Sequence, residues 1–162
     1  MTHYTRLPAR TGAKPSTTPR TPHQQLDQTS PLELQEKLWQ RMMGLAGVSI
    51  RPSGISVPGT RALWLEQAGN PDAFMVGREF AHLHPAHDGS LHMILDPHSH
   101  ALAMAGGWAE SHPLAGRYTS RTNVLVYGPR DEAELDVVWW LVQQSYRYAS
   151  GLAAEPPTQL QH

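Results

Sequence analysis

The chain has 162 residues, with 13 Lys and Arg against 14 Asp and Glu and a formal charge of −1. That length suits one domain with its own core, and the charge balance excludes the basic field of a protein that binds nucleic acid or anionic lipid. Forty per cent apolar residues and five tryptophans supply a core, but no apolar run approaches the roughly 20 residues of a membrane-spanning helix. The absence of cysteine rules out disulfides, thiolate metal sites and cysteine nucleophiles. Without an apolar leader, the cytoplasm is the expected compartment. The expected partner is a small molecule, neither nucleic acid nor membrane, and the oligomeric state stays open.

Residues 1–29 are rich in Thr, Pro, Arg and Gln and poor in large aliphatics, which predicts a disordered polar tail. Residues 30–151 are expected to form a single domain, followed by a flexible tail over 152–162. Ser30, Pro31 and Glu33 look like an N-cap, a first-turn proline and a capping-box acid, and Leu34, Leu38, Met42 and Leu45 give that helix an apolar stripe. From Val48 to Leu65 short β-like segments follow, with 61–65 the best strand core. A turn at 68–72 precedes two runs, 73–84 and 90–95, that suggest a β-hairpin. Asp96-Pro97 opens a short helix ending near Gly106-Gly107. A loop, 108–122, leads to a strand at 123–127, and Asp131 with Glu134 caps a final helix with Leu135, Val138, Trp139 and Val142 on its buried face. This order predicts an α+β fold, a mostly antiparallel sheet with a central histidine-bearing hairpin and helices on one face.

The hairpin concentrates the chemistry. Side chains alternate along a strand, so Arg78, Phe80, His82 and His84 share one face and Glu79 lies on the other. On the partner strand Ser90 and His92 oppose the apolar set Leu91, Met93 and Leu95. A register that sets His84 near His92 gathers His82, His84 and His92 on the face away from the helices. A one-residue slip in the turn 85–89 would invert the faces. Three such imidazoles suit hydrogen bonding, acid–base chemistry or a divalent transition metal, since neutral imidazole is a good ligand for Zn, Fe, Ni or Cu. His82-x-His84 with Asp88 resembles the first motif of cupin metal sites, with aspartate in place of glutamate and without a second motif. Trp108, Glu110 and His112 mark 107–117 as a candidate wall of the site, with Tyr127 and Arg130 as further candidates. His98 and His100 are expected to be bystanders.

The strings REFAHLHPAHDGSLHMIL, GGWAESHPLAG and VYGPRDEAEL resemble the luciferase-like domain family, over roughly Leu63 to Gly151. The resemblance implies an oxygenase that needs no metal or organic cofactor, with molecular oxygen as co-substrate and an enolisable, phenolic or pyrone-like substrate. In that reading His82, His84 and His92 are the catalytic candidates. Arg78, Glu79, Phe80, Asp88, Ser90, Trp108, Glu110, His112, Tyr127 and Arg130 are the substrate-binding ones. A metal-dependent cupin-like enzyme on His82, His84 and His92 and a non-catalytic binding module are the alternatives. For Glu79 to join His82, the strand must carry a bulge or lie at an edge.

Overall fold

Alternating burial builds the centre of the molecule: Ala81, Leu83, Leu91, Met93, Val124 and Val126 all turn into one apolar core, leaving the intervening residues to the opposite face of the same strands. A computed structural model describes residues 5–152. Its elements are α1 (Leu32–Met43), β1 (Val48–Pro52), β2 (Arg61–Leu65), β3 (Glu79–Leu83), β4 (Leu91–Ile94), α2 (Pro97–Ala105), β5 (Ala109–Ser111), β6 (Asn123–Val126) and α3 (Glu132–Ala149). The strands form one sheet in the order β1-β2-β3-β4-β6-β5, with every adjacent pair antiparallel. Leu38 and Met42 of α1 and Leu135, Val138, Leu141 and Val142 of α3 close the core against it. The fold is α+β, as expected, and the open sheet differs from the closed two-sheet architecture of cupins. No helix among the described residues is long and apolar enough to cross a membrane.

Several local expectations hold. Asp96 accepts a hydrogen bond from the Ser99 amide and Asp131 accepts one from the Glu134 amide, so both side chains cap their helices. Others change. Ser30 does not cap α1; Pro31 holds the N-cap position, and the Ser30 hydroxyl instead donates to the Pro129 carbonyl. The expected long strand over 73–84 is interrupted by a 3-10 turn at Pro71–Ala73 and by Gly77 at φ +54°, so β3 begins only at Glu79. Part of the expected loop over 108–122 is strand β5, which pairs Glu110 with Leu125.

The largest difference lies in residues 5–29, expected as a disordered tail. They run along the domain as a strap. Leu7 is buried in the core, and the Trp108 indole donates to the Pro8 carbonyl at 2.7 Å. The Arg10 amide donates to the Gly106 carbonyl, and the Gly128 amide donates to Gln25 Oε1. Between Ser16 and Leu26 the strap folds back on itself, with Thr17 bridged to Gln25 and the Leu26 amide bonded to the Ser16 carbonyl. Its polar residues satisfy backbone groups instead of building a core, a role that composition does not reveal. The expected C-terminal tail lies, beyond Leu152, outside the described residues.

Candidate active site

His82 stands directly opposite His92, with Ala81 opposite Met93 and Leu83 opposite Leu91. The expected face is correct, but the register sets His82, not His84, across from His92. The turn closes with the Asp88 and Gly89 amides both donating to the Pro85 carbonyl, and Gly89 takes φ +71°. His84 therefore sits diagonally from His92, still within reach. All three imidazoles are at most 5% exposed.

A bulge decides which residues join them. Leu63 pairs with Ala81 whereas Trp64 pairs with Glu79, so Phe80 is an extra residue on β3. The pleat inverts there. Phe80, expected beside the histidines, turns into the core and packs against Tyr146. Glu79, expected on the opposite face, reaches His82 Nδ1 at 2.7 Å and also accepts from the Ser53 hydroxyl and the Gly54 amide.

The imidazoles form a connected set. His92 Nδ1 lies 3.2 Å from His82 Nε2 and 3.0 Å from His84 Nε2, while His92 Nε2 lies 2.9 Å from Nδ1 of His23. His23 comes from the strap. Its own Nε2 meets Glu110 Oε2 at 2.9 Å, and Glu110 also accepts from the Thr17 and Tyr127 hydroxyls. His84 Nδ1 has its directed hydrogen bond to Ser90 Oγ at 2.9 Å, with Asp88 Oδ2 at 3.2 Å as an electrostatic contact. Asp88 Oδ1 in turn accepts from the Ser90 amide and hydroxyl. The His112 ring lies 5.1 Å from that of His92, and its Nδ1 accepts from the Leu114 amide at 3.0 Å.

Burial and the neighbouring imidazoles push His92 well below the ordinary histidine range. Burial likewise lowers His82, against the pull of Glu79. Burial, with His23 and His82 nearby, brings His112 to about 4. These three rings are neutral at pH 7. Burial pushes Glu110 up, but hydrogen bonds from His23, Thr17 and Tyr127 outweigh it and hold its carboxyl at about 2. For Asp88, too, burial is outweighed by His84 and Ser90, and the carboxylate is favoured.

A cavity of about 510 Å³ opens on this cluster. His23, His82, His92 and His112 are its polar wall, and Ile55, Val57, Met75 and Leu114 its apolar one. Asn123 is also in the wall; its Nδ2 donates to Thr119 Oγ1, and its buried Oδ1 has no hydrogen-bond partner. Thr21 and Pro22 of the strap close one side.

Other candidates lie elsewhere. Arg78 is exposed and bonds the Glu66 carbonyl, while Arg130 pairs with Glu134 and binds Gln28 and the Thr11 carbonyl. Trp108 anchors the strap, and neither His98 nor His100 lines the cavity. Ser90 and Asp88 act behind His84, and Tyr127 behind Glu110. His23 and Asn123 escaped the sequence reading: a lone histidine in a Thr/Pro-rich stretch and the first residue of a strand carry no periodic signal.

Residues 77–145 match the family model described as the Luciferase domain. The luciferase of Armillaria ostoyae is 38% identical over 74 residues, which are 44% of this chain and 28% of that protein. The luciferases of Armillaria gallica and Neonothopanus nambi are each 36% identical with the same coverage. The match thus spans under a third of the length of these relatives. No solved structure matches the chain. The matched segment holds Glu79, His82, His84, Asp88, His92, Glu110 and His112, whereas His23 and the strap lie outside it. From Gly77 to Ser145, then, the chain is similar to the luciferase-like domain family.

Proposed function

We propose that this protein is an oxygenase for a small, enolisable or phenolic ring compound, with molecular oxygen as co-substrate. The observation that carries the proposal is the cavity itself: imidazoles on one wall, aliphatic side chains on the other, and a volume that suits one small organic molecule. The resemblance to fungal luciferases supports the same class of chemistry. Oxygen reacts readily with an electron-rich enolate or phenolate, so the protein's task is to ionise the substrate hydroxyl away from water and hold the anion. His82, His84 and His92 are the residues on which ionisation rests. With Nδ1 accepting from the Leu114 amide, neutral His112 carries its proton on Nε2, a donor for the developing oxyanion. The free Asn123 Oδ1 would accept from a second substrate hydroxyl.

A library of hydroxylated aromatic and heterocyclic compounds, screened by methyl NMR and then for oxygen uptake, tests this reading. Binders are expected to shift the Met75 methyl resonance and to consume oxygen in the wild type but not in folded His92→Ala. Binders that map away from Met75, or that occupy the cavity without any oxygen uptake, would overturn it.

A further inference from the structure

With one proton on each ring, the hydrogen-bond partners set where the histidine protons lie. Glu79 Oε2 is an acceptor 2.7 Å from His82 Nδ1, so Nδ1 carries the proton and Nε2 presents a lone pair. The Ser90 hydroxyl gives its proton to Asp88 and must accept from His84 Nδ1, which again leaves Nε2 with a lone pair. Glu110 requires a proton on His23 Nε2; His23 Nδ1 is then an acceptor, and His92 Nε2, 2.9 Å away, must donate to it. His92 Nδ1 is left bare. The lone pairs of His82 Nε2 and His84 Nε2 therefore face that of His92 Nδ1, at 3.2 and 3.0 Å, with no N–H between them. Such an arrangement is repulsive unless a cation, a metal ion or a further proton, occupies it.

We propose that these three atoms form a mononuclear site for a divalent first-row transition ion. Donors bound about 2.0–2.1 Å from one ion stand roughly 2.8–3.4 Å apart at right-angled to tetrahedral geometry, a range that includes both His92 contacts. All candidate ligand atoms lie within 4.8 Å of one another. The set is neutral and all-nitrogen, which favours Zn, Fe, Co, Ni or Cu over Mg or Ca. Behind each ligand stands a carboxylate: Glu79 for His82, Asp88 through Ser90 for His84, and Glu110 through His23 for His92. This is the arrangement that fixes the tautomers and orientation of metal-binding imidazoles. Because His82 and His92 are also in the cavity wall, the ion would sit at the cavity's edge, where a substrate oxygen could complete its coordination and lose its proton. The inference deepens the oxygenase reading and rests on it only for that last role.

The test uses the full chain, made without an affinity tag, stripped with chelator and titrated with Co²⁺. One equivalent should bind, with the strong visible absorption of four- or five-coordinate cobalt, and Zn²⁺ should displace it. His84→Ala and His92→Ala should weaken binding by about 100-fold or more, and the positioning variant Glu79→Gln by roughly 10-fold with its melting temperature nearly unchanged. A His98→Ala/His100→Ala control should bind like the wild type. Should the ligand variants fail to fold, histidine NMR of the wild type decides: Zn²⁺ should shift the rings of His82, His84 and His92 and leave His98 in place. Wild-type affinity weaker than roughly 10 µM, or undiminished binding by folded His84→Ala, would overturn the site. Metal binding is measured without turnover, so a protein that binds metal but consumes no oxygen would refute the function alone, and the reverse result would refute the ion alone.

Discussion

Glu110 is the charge on which the strap hangs. It accepts from Thr17 and His23 on the strap and from Tyr127 on the domain, and its side chain is only 16% exposed. The same contacts lower its carboxyl to about 2 from the ordinary 4.5. At this carboxyl, folded and unfolded chains therefore bind protons differently only below about pH 4.5. The stabilisation is complete above that pH and is lost as pH falls through about 2. Glu110→Gln should lower stability by about 1–2 kcal/mol at pH 7. The difference between wild type and variant, measured by urea denaturation, should shrink between about pH 4.5 and 2; a constant difference would show that ionisation of Glu110 does not hold the strap. Gly89 tests the hairpin in the same way. At φ +71° its backbone strains any L side chain, and an added Cβ would meet the Gln35 amide at 2.6 Å. Gly89→Ala should cost more than the about 1 kcal/mol of conformational strain alone, because Gln35 must give up its bonds to the Ser30 and Ala86 carbonyls.

At the scale of elements, β3 shows what the sequence can and cannot carry. The alternation of Leu91, His92 and Met93 against Ala81, His82 and Leu83 gave the two faces of the hairpin, since a period of two is written directly in the residues. The helices were legible for a similar reason, through apolar spacing and the caps at Asp96 and Asp131. The extra residue at Phe80 was not, because a bulge is set by pairing with β2, and no residue of β3 announces it. That one residue moved Glu79 to the histidines and Phe80 to the core. Strand β5 escaped for a related reason: its three residues carry too short a pattern, and it exists because β6 offers an edge. Phe80→Ala should cost about 3–5 kcal/mol, as for a fully buried aromatic. Denaturation midpoints check this, and a loss near that of a surface residue would mean that Phe80 does not turn inward.

At the scale of the molecule, two kinds of structure meet at the cavity. The sheet, α1 and α3 bury a continuous set of aliphatics, whereas the strap contributes Leu7 to that core and is otherwise held by hydrogen bonds. A segment with few buried apolar contacts opens at lower free energy than the core it covers. Since Thr21, Pro22 and His23 line the cavity, opening of the strap would expose the histidines and admit a ligand without unfolding the sheet. Native-state hydrogen exchange measures both events at once. The amides of Thr18 and Leu26, bonded within the strap to the Gln24 and Ser16 carbonyls, should exchange through an opening several kcal/mol smaller than that of Met93 and Val124 in the central strands. Glu110→Gln should reduce the strap's opening energy by about 1–2 kcal/mol, its loss of Glu110 contacts being local. If Thr18 and Leu26 exchanged only with the core amides, strap and sheet would be one cooperative unit, and ligands would have to enter past Ile55 and Tyr118 on the remaining walls.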